Sequence, residues 1–203
     1  MLLSAVALLV SAASDGTTLL PPVDLKGWTR VPIPATSGLN PKLQWKVDAD
    51  QNTLLCTGEG GHEWLRYDTE MGDFELEVEW RFTPKAGETK YNSGVGIRLS
   101  KIGEIWYQAQ TGPSGAWLFG NNITPEGTLR SFSLKADMKE NRVKPIGEWN
   151  LFQIRCVRDR ITLKVNGEVV NDLSGVGLRK GYIGFEAEGF EIAFRNIKLK
   201  SVE

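Results

Sequence analysis

Two stretches decide the fold: Asp73-Phe-Glu-Leu-Glu-Val-Glu-Trp-Arg-Phe82 and, after a polar loop, Tyr91-Asn-Ser-Gly-Val-Gly-Ile-Arg-Leu99. Successive side chains of a strand point to opposite sides. The first stretch therefore puts Phe74, Leu76, Val78 and Trp80 on one face and Glu75, Glu77, Glu79 and Arg81 on the other. One face builds a core and the other presents charge. In the second stretch Val95, Ile97 and Leu99 take the buried side, with Gly94, Gly96 and Arg98 opposite. Two glycines in a row on one face leave the backbone open to close approach by a ligand.

Working outward, short β-type runs recur at Leu43–Val47, Thr53–Thr57, Trp64–Tyr67, Ile105–Gln110, Ala116–Phe119, Asn150–Val157, Ile161–Val165, Gly181–Glu186 and Glu191–Lys200. Gly, Pro, Asn and Asp punctuate them, and no amphipathic helix follows residue 15. Many short strands with regular turns predict an all-β sandwich of the jelly-roll kind. Val165-Asn-Gly-Glu168 carries the Asn-Gly pair suited to a type I′ hairpin turn, and Cys156–Ile161 makes another hairpin. Thr124–Ile146, charged and containing Pro125 and Pro145, reads as a long loop at the rim.

The 203 residues suit one all-β domain, expected over residues 15–203. Residues 1–14 open with an apolar run ending in small residues, which predicts a secretory signal cleaved near Ala13 or Ser14, although no Lys or Arg starts it. The run is too short for a membrane span, which takes ~20 apolar residues. A secreted or periplasmic protein is expected. With 24 basic and 25 acidic residues and no basic patch, nucleic acid is not an expected partner. Export would let Cys56 and Cys156 pair, but both sit in apolar strand patterns that equally suit buried free thiols. The oligomeric state is left open.

The single histidine, His62, lies in the glycine turn Gly58–Glu63 without a nucleophile signature nearby, which argues against a serine or cysteine triad. One histidine and two distant cysteines also make no zinc motif. Asp48, Asp50, Asn52 and Glu59 mimic a calcium loop, but Thr53 replaces the required glycine, so a turn between strands is expected. No cofactor is predicted, and no motif supports a divalent metal.

The row Glu75, Glu77, Glu79 and Arg81 carries more weight. Alternate strand residues lie ~6.5–7 Å apart, within the range used by paired glycosidase carboxyls. Glu75 and Glu77 read as a solvated face, whereas Glu79 and Arg81 precede Asn92 and Arg98. On the next strand Trp106, Gln108 and Gln110 share a face, and Glu186 and Glu188 stand opposite Phe185 and Ala187. Amides and carboxylates beside an indole suit sugar hydroxyls and a sugar ring.

Asp73-Phe-Glu-Leu, Glu79-Trp-Arg81, Asn92-Ser-Gly-Val, Ile97-Arg98, Gly147-Glu-Trp-Asn150, Val165-Asn-Gly167 and Phe194-Arg-Asn-Ile197 occur in order. With Leu25-Lys-Gly-Trp28 and Trp45-x-Val-Asp-x-Asp50, the set resembles the 3-keto-disaccharide hydrolase family over residues ~24–201. The resemblance implies a concanavalin-like lectin/glucanase jelly roll acting on 3-keto-glycosides, with a carbohydrate as partner. A C3 carbonyl acidifies the C2 hydrogen, so the chemistry calls for a carboxylate base and a cation or amide at the enolate oxygen. On this reading Glu79 is the base, Arg98 the stabiliser and Glu186 a further catalytic carboxylate. Arg81, Asn92, Trp106, Gln108, Gln110, His62 and Glu188 are expected to bind substrate. The chain departs from the family where relatives carry Glu at the position of Gln108 and Gln at that of Glu186. A noncatalytic carbohydrate-binding module on the same fold is the alternative.

Overall fold

The computed structural model describes residues 16–124 and 126–203; the expected signal segment, residues 1–14, lies outside them. Two antiparallel sheets pack face to face. The first runs β13 (Glu168–Leu173), β12 (Arg160–Val165), β11 (Asn150–Val157), β6 (Phe74–Phe82), β15 (Ile192–Ser201), β4 (Thr53–Cys56), β3 (Trp45–Asp48), with β1 (Thr17–Thr18) also on β15. The second runs β10 (Leu129–Ser133), β9 (Leu118–Ile123), β8 (Trp106–Thr111), β7 (Ser93–Leu99), β14 (Tyr182–Ala187), β5 (Glu63–Tyr67), β2 (Trp28–Pro32). The jelly-roll reading holds.

The alternation of β6 is realised as expected: Phe74, Leu76, Val78, Trp80 and Phe82 are buried between the sheets, and the glutamates face outward. Across the sandwich, Val95, Ile97, Tyr107, Ala109, Phe185 and Ala187 supply the other half of the core. Asn166 and Gly167 both have positive φ (50° and 94°), as a type I′ turn requires. The Asp48–Thr53 stretch is a hairpin turn, with Asp48 and Thr53 paired at its base.

Two expectations need correction. The segment Thr124–Ile146 is not all loop: Leu129–Ser133 adds β10 to the edge of the second sheet, pairing with β9 despite its exposed, polar character. Of the two alternatives left open for the cysteines, the structure takes the free, buried thiols. They lie on β4 and β11, three strand spacings or ~14 Å apart across the sheet and eight residues apart along it, too far for a disulfide, and burial pushes both thiols up to about 12.

The second correction concerns β7. Arg98 has a φ of 46°, and the β7–β14 register shifts beside it between Tyr182 and Gly184. This irregularity exchanges the expected faces. Arg98 becomes fully buried, and Leu99 swings to the glycine face, where a Cβ on Gly96 would meet Leu99 at 2.8 Å and Trp64 at 3.0 Å. A Cβ on Gly94 would collide with the Gln108 amide. The glycines therefore make room for this protein's own side chains.

Candidate active site

Because Phe185 and Ala187 point into the core, Glu186 and Glu188 point outward from the second sheet, as do Trp106, Gln108 and Gln110 from β8. Strand order puts β8, β7 and β14 side by side. The result is a pocket of about 300 Å³ on the outer face, where Trp64 stands beside Glu186 and the rings of Trp106, Trp117 and Phe119 lie towards β8 and β9.

Glu186 is the centre of the polar side. It is nearly fully buried, and its Oε1 lies 2.9 Å from His62 Nε2 while its Oε2 accepts from Gln108 Nε2 at 2.6 Å. Its backbone carbonyl accepts from Ser93 Oγ at 2.7 Å. Glu188 is half-buried with Asn92 beside it, and Asn92 accepts from Gln110 Nε2. One donor atom from each of His62, Glu186 and Glu188 lies within 4.8 Å of the others. Imidazole and carboxylate are also donors that a divalent cation accepts, so these three are the residues that can hold one.

His62 is delivered from the rim by a clasped turn. Gln44 accepts from Gly60 N at 2.8 Å and donates to Gly61 O at 2.9 Å, an approach so close that a Cβ at Gly60 would meet Gln44 at 2.8 Å. On the other side the buried Glu63 accepts from Trp45 Nε1 and Arg30 Nε, both at 2.9 Å. The glycine turn that reads weakly as a phosphate loop is thus a mount for an imidazole.

Electrostatics follow from the packing. The hydrogen bond that His62 donates to Glu186 raises His62 above the usual imidazole value, against a smaller opposing effect of burial. Burial and then the charge of Glu186 raise the Glu188 carboxyl. Clustered groups shifted in this way mark candidate functional sites. Among the described residues, the pocket lining holds no lysine or arginine.

Of the expected site residues, the structure gathers His62, Asn92, Trp106, Gln108, Gln110, Glu186 and Glu188 in this one pocket. It separates Glu79, Arg81 and Arg98 from it. Glu79 stands on the outer face of the first sheet and accepts from Arg195 Nε at 2.6 Å. Arg81 and Arg195 both stack on Trp149, at 4.5 and 4.0 Å from its ring centre. Arg98 donates to Gly72 O at 3.0 Å, Arg158 O at 2.6 Å and Asp73 Oδ1 at 2.9 Å, tying the end of one sheet to the other. The expected triad of Glu79, Arg98 and Glu186 does not assemble. β6 and β7 follow one another in sequence but lie in opposite sheets.

Sequence reasoning missed Trp64, Phe119 and the Pro32–Ala35 wall of the pocket. Phe119 carries a readable signal, since its strand alternates Leu118 inward and Phe119 outward; the wall, which joins only through tertiary packing, carries none.

Comparison with known proteins agrees with this architecture. The model of the 3-keto-alpha-glucoside-1,2-lyase-like domain matches residues 15–200. No curated protein sequence matches the chain. Among solved structures, the carbohydrate binding module CBM66 from Bacillus subtilis is similar with a TM-score of 0.62 at 15% identity, over 86% of this chain and 96% of that one. A putative glycosyl hydrolase from Parabacteroides distasonis gives 0.61 at 15% identity, over 88% and 90%. A prokaryotic beta-1,3-1,4-glucanase (lichenase) derived from a mouse hindgut metagenome gives 0.54 at 11%, over 86% and 92%. At these identities the structural likenesses establish a shared fold, while the sequence match over nearly the whole chain establishes that it belongs to the 3-keto-alpha-glucoside-1,2-lyase-like domain family.

Proposed function

We propose that this protein cleaves 3-keto-glycosides in the pocket built on β8, β7 and β14, with Glu188 as the proton-transfer group and His62 as the electrostatic stabiliser. One observation carries the proposal. An imidazole and two carboxylates meet within 4.8 Å in a pocket whose lining has no lysine or arginine to neutralise them.

The roles follow from what each group already binds. Both oxygens of Glu186 are occupied, by His62 and Gln108, so Glu186 acts as a positioning residue that keeps the imidazole charged. Glu188 is the freer carboxylate, and its raised pKa makes it a stronger base once ionised. With C3 of the sugar beside His62, Glu188 takes the C2 hydrogen as a proton, and the electron pair passes onto the C3 oxygen. The imidazolium stabilises that enolate. Return of the pair restores the C3 carbonyl, forms a C1=C2 double bond and breaks the bond from C1 to its oxygen substituent. Glu188 then hands its proton to the departing oxygen. Addition of water, hydroxyl to C1 and proton to C2, converts this elimination into net hydrolysis.

The apolar residues 1–14 support action outside the cytoplasm. Binding without cleavage is the second reading, and the likeness of the fold to CBM66 favours it. Incubation with methyl 3-keto-glucoside and 3-keto-trehalose, followed by chromatography of the released products, separates the two. Turnover by the native protein is expected, with Glu188→Gln lowering kcat by about 10²–10⁴-fold while the melting temperature is kept. Calorimetric binding without turnover supports the second reading. Full turnover by E188Q removes Glu188 from the chemistry.

A further inference from the structure

The apolar side of the same pocket is not used by the proton-transfer chemistry. Trp106 on β8 and Phe119 on β9 meet edge to face, with ring centres 5.2 Å apart and planes at 90°. Their strands place them relative to the carboxylates: Phe119 is the direct cross-strand partner of Gln108, the residue that donates to Glu186. β8 lies two strands from β14 and β9 lies three, ~10 and ~14 Å across the sheet at the ordinary spacing, and the register sets Trp106 four residues and Phe119 two residues along from the level of Glu186, a further ~13 and ~7 Å. That is enough for one sugar ring at Glu188 and a second ring beyond it. Both aromatic residues are partly exposed, and Ile102, half exposed, extends the apolar surface.

Charge narrows what the corner accepts. An anionic group would face Glu186 and Glu188 with no lysine or arginine in the lining to offset them. A cationic group would approach the ammonium of Lys135, which already covers the neighbouring Trp117 ring at 4.6 Å. We propose that the Trp106–Phe119 corner is the subsite for the leaving group at C1, and that it selects an uncharged group with a flat face, either an aryl ring or the apolar face of a neutral pyranose. The right angle between the two rings gives such a group one ring to stack on and another to meet edge-on, the two geometries aromatic surfaces favour.

This inference rests on the reading of Glu188 and His62 as the end that holds the keto sugar. Its test compares 3-keto-glucosides with methyl, phenyl, glucosyl and glucuronosyl leaving groups in the native protein, Trp106→Ala and Phe119→Ala, with Trp106→Phe as the conservative control. The ratio of KM for the phenyl or glucosyl substrate to KM for the methyl substrate is expected to rise about tenfold in the alanine variants, and to be largely restored in W106F. The larger rise identifies whether aryl or pyranose is preferred. The glucuronosyl substrate is expected to be the poorest for the native protein. Ratios unchanged by substitution, or a glucuronosyl substrate as good as the glucosyl one, overturn the subsite. If the native protein turns over none of these, the cleavage reading fails. The subsite is then judged by calorimetry, where phenyl and methyl substrates of equal affinity overturn it and a phenyl preference lost in W106A sustains it.

Discussion

The outer faces of the two sheets both carry rows of carboxylates, yet they are chemically opposite. On the first sheet Glu75 pairs with Arg155 at 3.0 Å, Glu77 accepts from Gln153 at 2.8 Å, and Glu79 pairs with Arg195 at 2.6 Å. The hollow between these strands, about 360 Å³, is larger than the candidate active site, and Arg155, Lys164, Lys198 and Lys200 also line it. On the second sheet Glu186 and Glu188 share their pocket with one histidine, several amides and aromatic rings. Glu188 gains chemical capacity because it is half-buried and faces the charge of Glu186, and both conditions raise its affinity for a proton. The presence of a row of glutamates says little about that capacity.

Breaking the scaffold sharpens this contrast most. Arg98→Met removes a fully buried guanidinium, takes from Asp73 its cation while leaving it the backbone N–H of Arg158, and leaves the carbonyls of Gly72 and Arg158 without this donor. It is expected to cost about 2 kcal/mol or more of stability, from two part-buried carbonyls left without this donor at ~1–3 kcal/mol each, read by urea or thermal denaturation. A variant of ordinary stability with reduced kcat would instead return Arg98 to the chemistry.

A more selective break is Glu186→Gln. The native rate is expected to follow a bell-shaped pH profile. The acid limb reflects ionisation of Glu188, raised above its ordinary value, and the basic limb reflects loss of the His62 proton, also raised. Removing the charge of Glu186 withdraws the carboxylate that holds the imidazole proton and the repulsion that raises Glu188. Both limbs should move to lower pH. A profile whose limbs stay in place would show that Glu186 does not set them.

The smallest effect is expected at Glu79→Gln. This carboxylate is partly solvated and its partner Arg195 keeps Trp149 as a neighbour. Less than about 1 kcal/mol of stability should be lost, with turnover preserved in the same assay. A loss of turnover comparable to that of E188Q would erase the distinction between the two faces.

Much of this molecule was legible in its residues. The alternation of β6 gave its buried and outward faces correctly, the Asn166-Gly167 pair gave its turn, and the same period of two put Trp106, Gln108 and Gln110 on one face of β8 and set Glu186 opposite Phe185 and Ala187 on β14. The polar β10 was not legible, because its strand character comes from pairing with β9 and not from an apolar pattern of its own. His62 was visible as a loop residue, but its meeting with Glu186, 124 positions away, was not.

By itself, then, the sequence determined which side of its own strand a residue occupies wherever the strand is regular, since alternation is a local consequence of backbone geometry. Tertiary structure alone decided which strands share a sheet. The crossing between β6 and β7 sends Glu79 to one outer face and leaves Glu186 on the other, and the positive φ of Arg98 reverses the local alternation so that its side chain bridges the sandwich instead of facing the pocket. Pairing partners and irregularities of register depend on the packing of the whole chain, which no period within a single strand encodes.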